Sequence, residues 1–134
     1  MKNLTPYIKF SGNCEAALKH YAEAFGGRVT ELKRFNEAPQ MKHPKGEDVM
    51  HARFEADQIR IMASDGDRDA AKGTARVSLS VELDDSAETD RVFARLAEGG
   101  EVTMPIAQQF WGARFGMLTD KFGIQWMFNC EAKK

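Results

Sequence analysis

The sequence predicts an α+β fold built from two βαβββ modules. Three features of the chain point to it. First, "GNCEAALKHYAEAFGGRVT" (12–30) and "DSAETDRVFARLAEGGEVT" (85–103) close on the same Gly-Gly-x-Val-Thr segment, so that Gly26 and Gly27 correspond to Gly99 and Gly100. Second, a short alternating stretch precedes each segment, "LTPYIKF" (4–10) in one and "RVSLSVEL" (76–83) in the other. Third, "HARFEADQIRIMAS" (51–64) and "GARFGMLTDKFGIQWMF" (112–128) share Ala-Arg-Phe, a turn and a further strand, the second turn being the longer. One Gly-Gly is weak evidence, but recurrence of strand, helix, Gly-Gly and hairpin in one order marks a duplication. The modules are expected at 1–66 and 74–134, with a linker near "DGDRDAAKG" (65–73).

In chain order, the first strand places Leu4, Ile8 and Phe10 on one side and Thr5, Tyr7 and Lys9 on the other. The first helix carries Ala17, Leu18, Tyr21 and Phe25 as an apolar stripe; in the second, Val92, Phe93 and Leu96 form it. Asn13 and Ser86 are the expected N-caps, and each Gly-Gly is the expected left-handed stop. The later strands divide in the same way. Ile59, Ile61 and Ala63 oppose Arg60, Met62 and Ser64; Val77, Leu79, Val81 and Leu83 oppose Arg76, Ser78, Ser80 and Glu82; Ile124, Trp126 and Phe128 oppose Gln125, Met127 and Asn129. One face is the core beneath the helices, and the other collects a phenol, hydroxyls, amides and methionines. A strongly twisted sheet would turn that second face into the lining of a cup suited to a small molecule.

Composition narrows the function. At 134 residues, 43% hydrophobic and 29% charged, with a formal net charge of -1, the chain has the balance of a globular protein and no electrostatic case for nucleic acid or an anionic membrane. Cys14 and Cys130 lack CxxC spacing, and no apolar run resembles a signal peptide or a membrane span, so a reduced, cytoplasmic setting is expected.

"PYIKFSGNCEAALKHYAEAFGG", "VMHARFEADQIRIMASD" and "FWGARFGMLTDKFGIQWMFN" together resemble the PhnB-like branch of the vicinal oxygen chelate superfamily, over nearly the whole chain. That superfamily includes glyoxalase I, bleomycin and fosfomycin resistance proteins and extradiol dioxygenases. The resemblance implies two βαβββ modules forming a curved, open mixed sheet around a cavity, usually within a homodimer. It also implies metal-ligand positions on the first and fourth strand of each module, which fall at Thr5 or Pro6, Met62, Ser78 and Met127. Thioethers and neutral hydroxyls are poor ligands for zinc, nickel or iron, so neither a metal nor another cofactor is expected. A methyltransferase label, carried by some sequences of this type, finds no nucleotide-binding glycine loop here.

The expected cavity residues are Tyr7, Met62, Ser78, Ser80, Gln125 and Met127, with His51 and Trp111 near the mouth. Tyr7, the serines and Gln125 supply hydrogen bonds, and the methionines adapt to an apolar body. Phe110 and Trp111 read equally as an aromatic wall or a dimer contact. His51, at the start of a strand beside Glu47 and Asp48, is the candidate base; His20 and His43 show no convergence with it. Asp65 and Asp120 read as turn formers, and Cys14 as a thiol whose pKa a helix N-terminus can lower, with no base at hand. The favoured reading is a dimeric, metal-independent small-molecule-binding protein. The alternatives are a metal-dependent lyase, isomerase or dioxygenase using ligands such as His51, and a resistance protein that sequesters a drug.

Overall fold

The computed structural model describes residues 5–37, 46–65, 77–110 and 112–131. The chain divides into two compact units, Met1–Lys72 and Gly73–Lys134. In the first, β1 (Tyr7–Phe10) leads into α1 (Cys14–Phe25), β2 (Arg28–Arg34), a 3-10 turn (Phe35–Glu37), β3 (Val49–Ala56) and β4 (Ile59–Asp65). In the second, β5 (Leu79–Leu83) is followed by α2 (Ser86–Ala97), β6 (Glu101–Gln108), β7 (Ala113–Thr119) and β8 (Gln125–Glu131). Each unit is therefore a βαβββ module around one four-stranded mixed sheet, ordered β1-β4-β3-β2 and β5-β8-β7-β6. The outer pairs β1–β4 and β5–β8 are parallel, and all other pairs are antiparallel.

Alternation places the core under each helix as the sequence implies. Ala17, Leu18 and Tyr21 of α1 are buried with Phe10, Ala52, Phe54, Ile61 and Ala63, and the Tyr21 ring meets Phe54 edge-on at 6.4 Å. Val92, Phe93 and Leu96 of α2 are buried with Leu118, Trp126 and Phe128, the Phe93 and Phe128 rings crossing at 84° and 5.4 Å. An ion pair ties each helix to its sheet. Arg34 Nη2 lies 2.8 Å from Glu15, and Arg114 grips Asp90 through two bonds of 2.6 and 3.0 Å. Among the described residues no helix is long and apolar enough to cross a membrane.

The helix starts differ from expectation. Asp85, not Ser86, caps α2, its carboxylate accepting the Glu88 amide at 2.9 Å while Ser86 is the first helical residue. Asn13 occupies the cap position of α1, its carbonyl accepting the Ala17 amide at 2.9 Å, but its side chain does not cap the helix; Oδ1 accepts the Ser11 amide at 3.2 Å instead. The missing acceptor comes from the far end of β4. Asp65 Oδ1 takes the Gly12 and Cys14 amides, both at 2.8 Å, and its Oδ2 takes the Val49 amide at 2.8 Å. Asp65 is thus a buried junction of β1, α1, β3 and β4, and the turn expected after it lies outside the described residues.

Asp120 is the turn former expected, since its Oδ1 accepts the Phe122 and Ile124 amides at 2.8 and 3.0 Å. Its other oxygen holds the Trp126 indole N–H at 2.9 Å, locking that ring into the core. Strand ends are shorter than the sequence suggests. β1 begins at Tyr7, β5 at Leu79 and β8 at Gln125, because Ile124 closes the Asp120 turn through its carbonyl.

Candidate functional site

In each unit the helix covers one face of the sheet, and the candidate residues stand on the other. Tyr7 and Met62 are register partners across the parallel β1–β4 pair. Met62 in turn faces Arg53 on β3, and Arg53 faces Glu31 on β2, so one row crosses the sheet. His51 lies three residues into β3, not at its start, and pairs in register with Lys33. Its partner is Tyr7 instead of the adjacent Glu47. The Tyr7 hydroxyl and His51 Nδ1 are 3.3 Å apart, and the ring centroids 5.9 Å. The Glu47 carbonyl instead accepts Arg34 Nη1 at 2.9 Å.

This first face is rich in charge. Glu31 lies 3.6 Å from Lys33 and 3.3 Å from Arg53, and Glu55 lies 3.6 Å from Arg60, all on exposed side chains. Such solvated pairs stabilise little and leave the groups available to a ligand. Lys9 adds another cation on the same side of β1.

The centre of the second face is built from neutral groups. Ser78 Oγ donates to Gln125 Oε1 at 3.2 Å. Ser80 is the register partner of Met127, which faces Met117 on β7, which faces Met104 on β6. Beside this row, Asn129 pairs with Phe115. Parity found Met127 but not Met104, Met117 or Phe115. Bulges between Val102 and Met104 and between Met104 and Ala107 break the alternation of β6, and only the hairpin register aligns the three methionines.

Tyr7, His51 and Met62 are therefore neighbours on one sheet, and Ser78, Ser80, Gln125 and Met127 on the other. Trp111 and His43 lie outside the described residues. Phe110 is 96% exposed, and His20 is buried on α1. Thr5, Met62, Ser78 and Met127, the positions at which the family resemblance puts metal ligands, carry neither imidazole nor carboxylate, and this donor set does not fit zinc, nickel, iron or manganese. Among the described residues no three His, Cys, Asp or Glu side chains are grouped to hold a metal ion.

Cys14 departs from the reading of a thiol activated by a helix. Burial, reinforced by the carboxylates of Asp65 and Glu15, pushes it from 9.0 up to about 12. Because the folded value is raised, its contribution to stability is complete below about pH 9 and is lost as pH rises towards 12. In a Cys130→Ser chain, a disulfide reagent at pH 8 is expected to leave native Cys14 unmodified for hours and to label it within minutes in denaturant. Rapid labelling of the native chain would contradict the assignment.

Comparison with known proteins agrees with the architecture. The family model described as 3-demethylubiquinone-9 3-methyltransferase matches residues 2–128. The crystal structure of protein PA1353 from Pseudomonas aeruginosa is 38% identical, with a TM-score of 0.89 over 99% of this chain and 100% of its own. A PhnB protein from Bacillus cereus is 27% identical, with a TM-score of 0.84 over 96% of this chain and 99% of its own. FosX, a fosfomycin resistance protein from Listeria monocytogenes solved with manganese(II) and a dihydroxypropylphosphonic acid, has a TM-score of 0.69 at 13% identity, covering 100% of this chain and 94% of its own; that likeness concerns the fold alone. Sequence motifs, module order and these relatives converge: the chain belongs to the PhnB-like family described as 3-demethylubiquinone-9 3-methyltransferase.

Proposed function

We propose that this protein is a metal-independent binder of small organic molecules and that the helix-free face of each sheet is a binding surface. The observation that carries the reading is a repeated pair: Tyr7 with Met62 on one sheet and Ser80 with Met127 on the other. Tyr7 and Ser80 are related by the same offset as Gly26 and Gly99. Both modules thus set a hydroxyl beside a thioether at one place on the face that no helix covers. A hydroxyl can donate and accept, and a thioether conforms to an apolar body, which is the mixture small-molecule sites use. Met62 and Met127 are half-buried rather than packed away.

The family's description names a methyl transfer, and this reading does not include one. The only strand-to-helix loop carrying a glycine among the described residues, Ser11–Asn13, has the Gly12 and Cys14 amides committed to Asp65. Those amides are satisfied within the chain and are not left for a cofactor bound at that loop. A homodimer belongs to the same proposal, because open sheets present edges that a second copy can cover.

Amide NMR with a library of small organic fragments tests the reading, with sedimentation on the same sample. The expected result is shifts concentrated at Tyr7, His51 and Met62 or at Ser78, Ser80, Gln125 and Met127, in a species of twice the chain mass. Fragments that gather on the helix side of the sheets, or none that bind, would overturn the binding proposal. A monomer at micromolar concentration would overturn the dimer.

A further inference from the structure

The two modules share a fold, yet their helix-free faces have diverged in charge. On the first, Lys9, Lys33, Arg53 and Arg60 stand with Glu31 and Glu55. On the second, the central row Ser80, Met127, Met117 and Met104 contains no ionisable group. In the row to one side, Glu82, Asn129, Phe115 and Ala107, and in the row to the other, Gln125, Thr119 and Glu101, ionisable groups occur only on the outer strands, and both are acidic. An anion is therefore repelled from this face. A polar cation finds acids only at the margins.

We infer that the methionine row of the second sheet receives an uncharged aromatic ring. This rests on the small-molecule reading and names the class of ligand for one of its two faces. Met104, Met117 and Met127 belong to three adjacent strands at one register, where neighbouring side chains stand about 5 Å apart. Together they span a strip about the width of a fused ring system. All three are half-buried, although methionine gains nothing from water and a position meant only for solvent would carry a charge. Thioether sulfur is polarisable and favours contact with aromatic rings, and the unbranched side chain adjusts to the outline of what it meets. Phe115, next to Met117 on the same side of β7, adds a ring for edge contact. Ser80, Gln125 and Asn129 border the strip with neutral donors and acceptors suited to a ring heteroatom or a phenolic or carbonyl group.

N-phenyl-1-naphthylamine, a neutral aromatic fluorophore, tests the inference on the full chain labelled with carbon-13 at the methionine methyl groups. Seven methionines give seven signals, which Met→Leu variants assign. The expected result is saturable binding with upfield ring-current shifts at Met104, Met117 and Met127 and none at Met50 or Met62. Met117→Ser should weaken binding about tenfold and Met117→Leu by less than about threefold, since leucine keeps the apolar contact and loses only the sulfur. If Met117→Ser fails to fold, the methyl shifts and the leucine variant still decide. Shifts at Met50 and Met62 instead, or an equal response to 1-decanol, would overturn the inference while leaving small-molecule binding intact. Row shifts that follow chain concentration without probe would identify a second copy as the occupant and overturn it too. Failure of the probe and of every fragment in the library would remove the underlying reading itself.

Discussion

Replacing Asp65 with alanine is expected to destabilise the protein by about 3–5 kcal/mol, because a buried acceptor of three backbone N–H groups would be lost. For a chain of this length the melting temperature should fall by about 10–20 °C. Asp65→Asn is expected to cost roughly half as much. Its carbonyl oxygen can still take the Gly12 and Cys14 amides, whereas its NH2 group would face the Val49 amide, donor against donor. Thermal melts and urea titrations of both variants check this. A melting point within about 3 °C of the parent for Asp65→Ala would mean that water or a neighbour takes over those amides, and the junction would lose the importance given to it here. Function should follow stability, since Asp65 ends the strand that carries Met62 and is the register partner of Phe10 on the strand that carries Tyr7.

Asp65 also marks where sequence reasoning stops. In "MASDGD" an aspartate before glycine reads as a turn, and nothing local reveals partners 53, 51 and 16 residues away. What could be read was periodic. Alternation separated Ile61, Ala63, Trp126 and Phe128, all buried, from Met62, Gln125 and Met127, which are not. Helical spacing found Tyr21 and Phe93, and the repeat fixed the order of strands. Cross-strand register was out of reach. Pro105 and two bulges interrupt β6, so Met104 could not be assigned a face, and the methionine row appears only when β6, β7 and β8 are aligned. The Tyr7–His51 contact is hidden for a similar reason: sequence proximity sets His51 beside Glu47 and Asp48, whereas the sheet order brings β1 to β3 across β4. The choice of Asp85 over Ser86 as a cap turned on one residue of phase. Both are good caps, and the geometry selects the one whose carboxylate reaches the Glu88 amide.

Alanine at Gly27 or Gly100 is expected to cost more than alanine at Gly26 or Gly99, although the first glycine of each pair has the unusual backbone angle. Gly26, at φ 78°, is the expected left-handed close of α1, whereas α2 is capped by Glu98 in an extended conformation and Gly99, at φ 77°, lies in the turn that the Gly100 amide closes on the Ala97 carbonyl. A methyl group at Gly26 would meet nothing within 4 Å, and at Gly99 only the flexible Lys121 side chain at 3.1 Å, so the cost there is backbone strain of about 1–2 kcal/mol. The second glycines are constrained by contact instead. A Cβ on Gly27 would run into the Ala56 methyl and the Glu55 carbonyl, and one on Gly100 into the Thr119 carbonyl and, at 2.9 Å, the Asp120 backbone. In both modules the chain leaving the helix passes against the turn between the last two strands, too close for any side chain. Since backbone must shift to make room, each substitution should cost about 3 kcal/mol. Adding Ala56→Gly to Gly27→Ala removes one clash and leaves the Glu55 carbonyl, so it should recover only part of the loss. Melting curves of the four single variants and the double variant give the ranking. If alanine at Gly26 and Gly99 proved the more damaging, the pairs would be helix stops alone. The expected order instead makes the second glycine of each copy the residue that seats the third and fourth strands, and with them Met62 and Met127, against the strand that follows the helix.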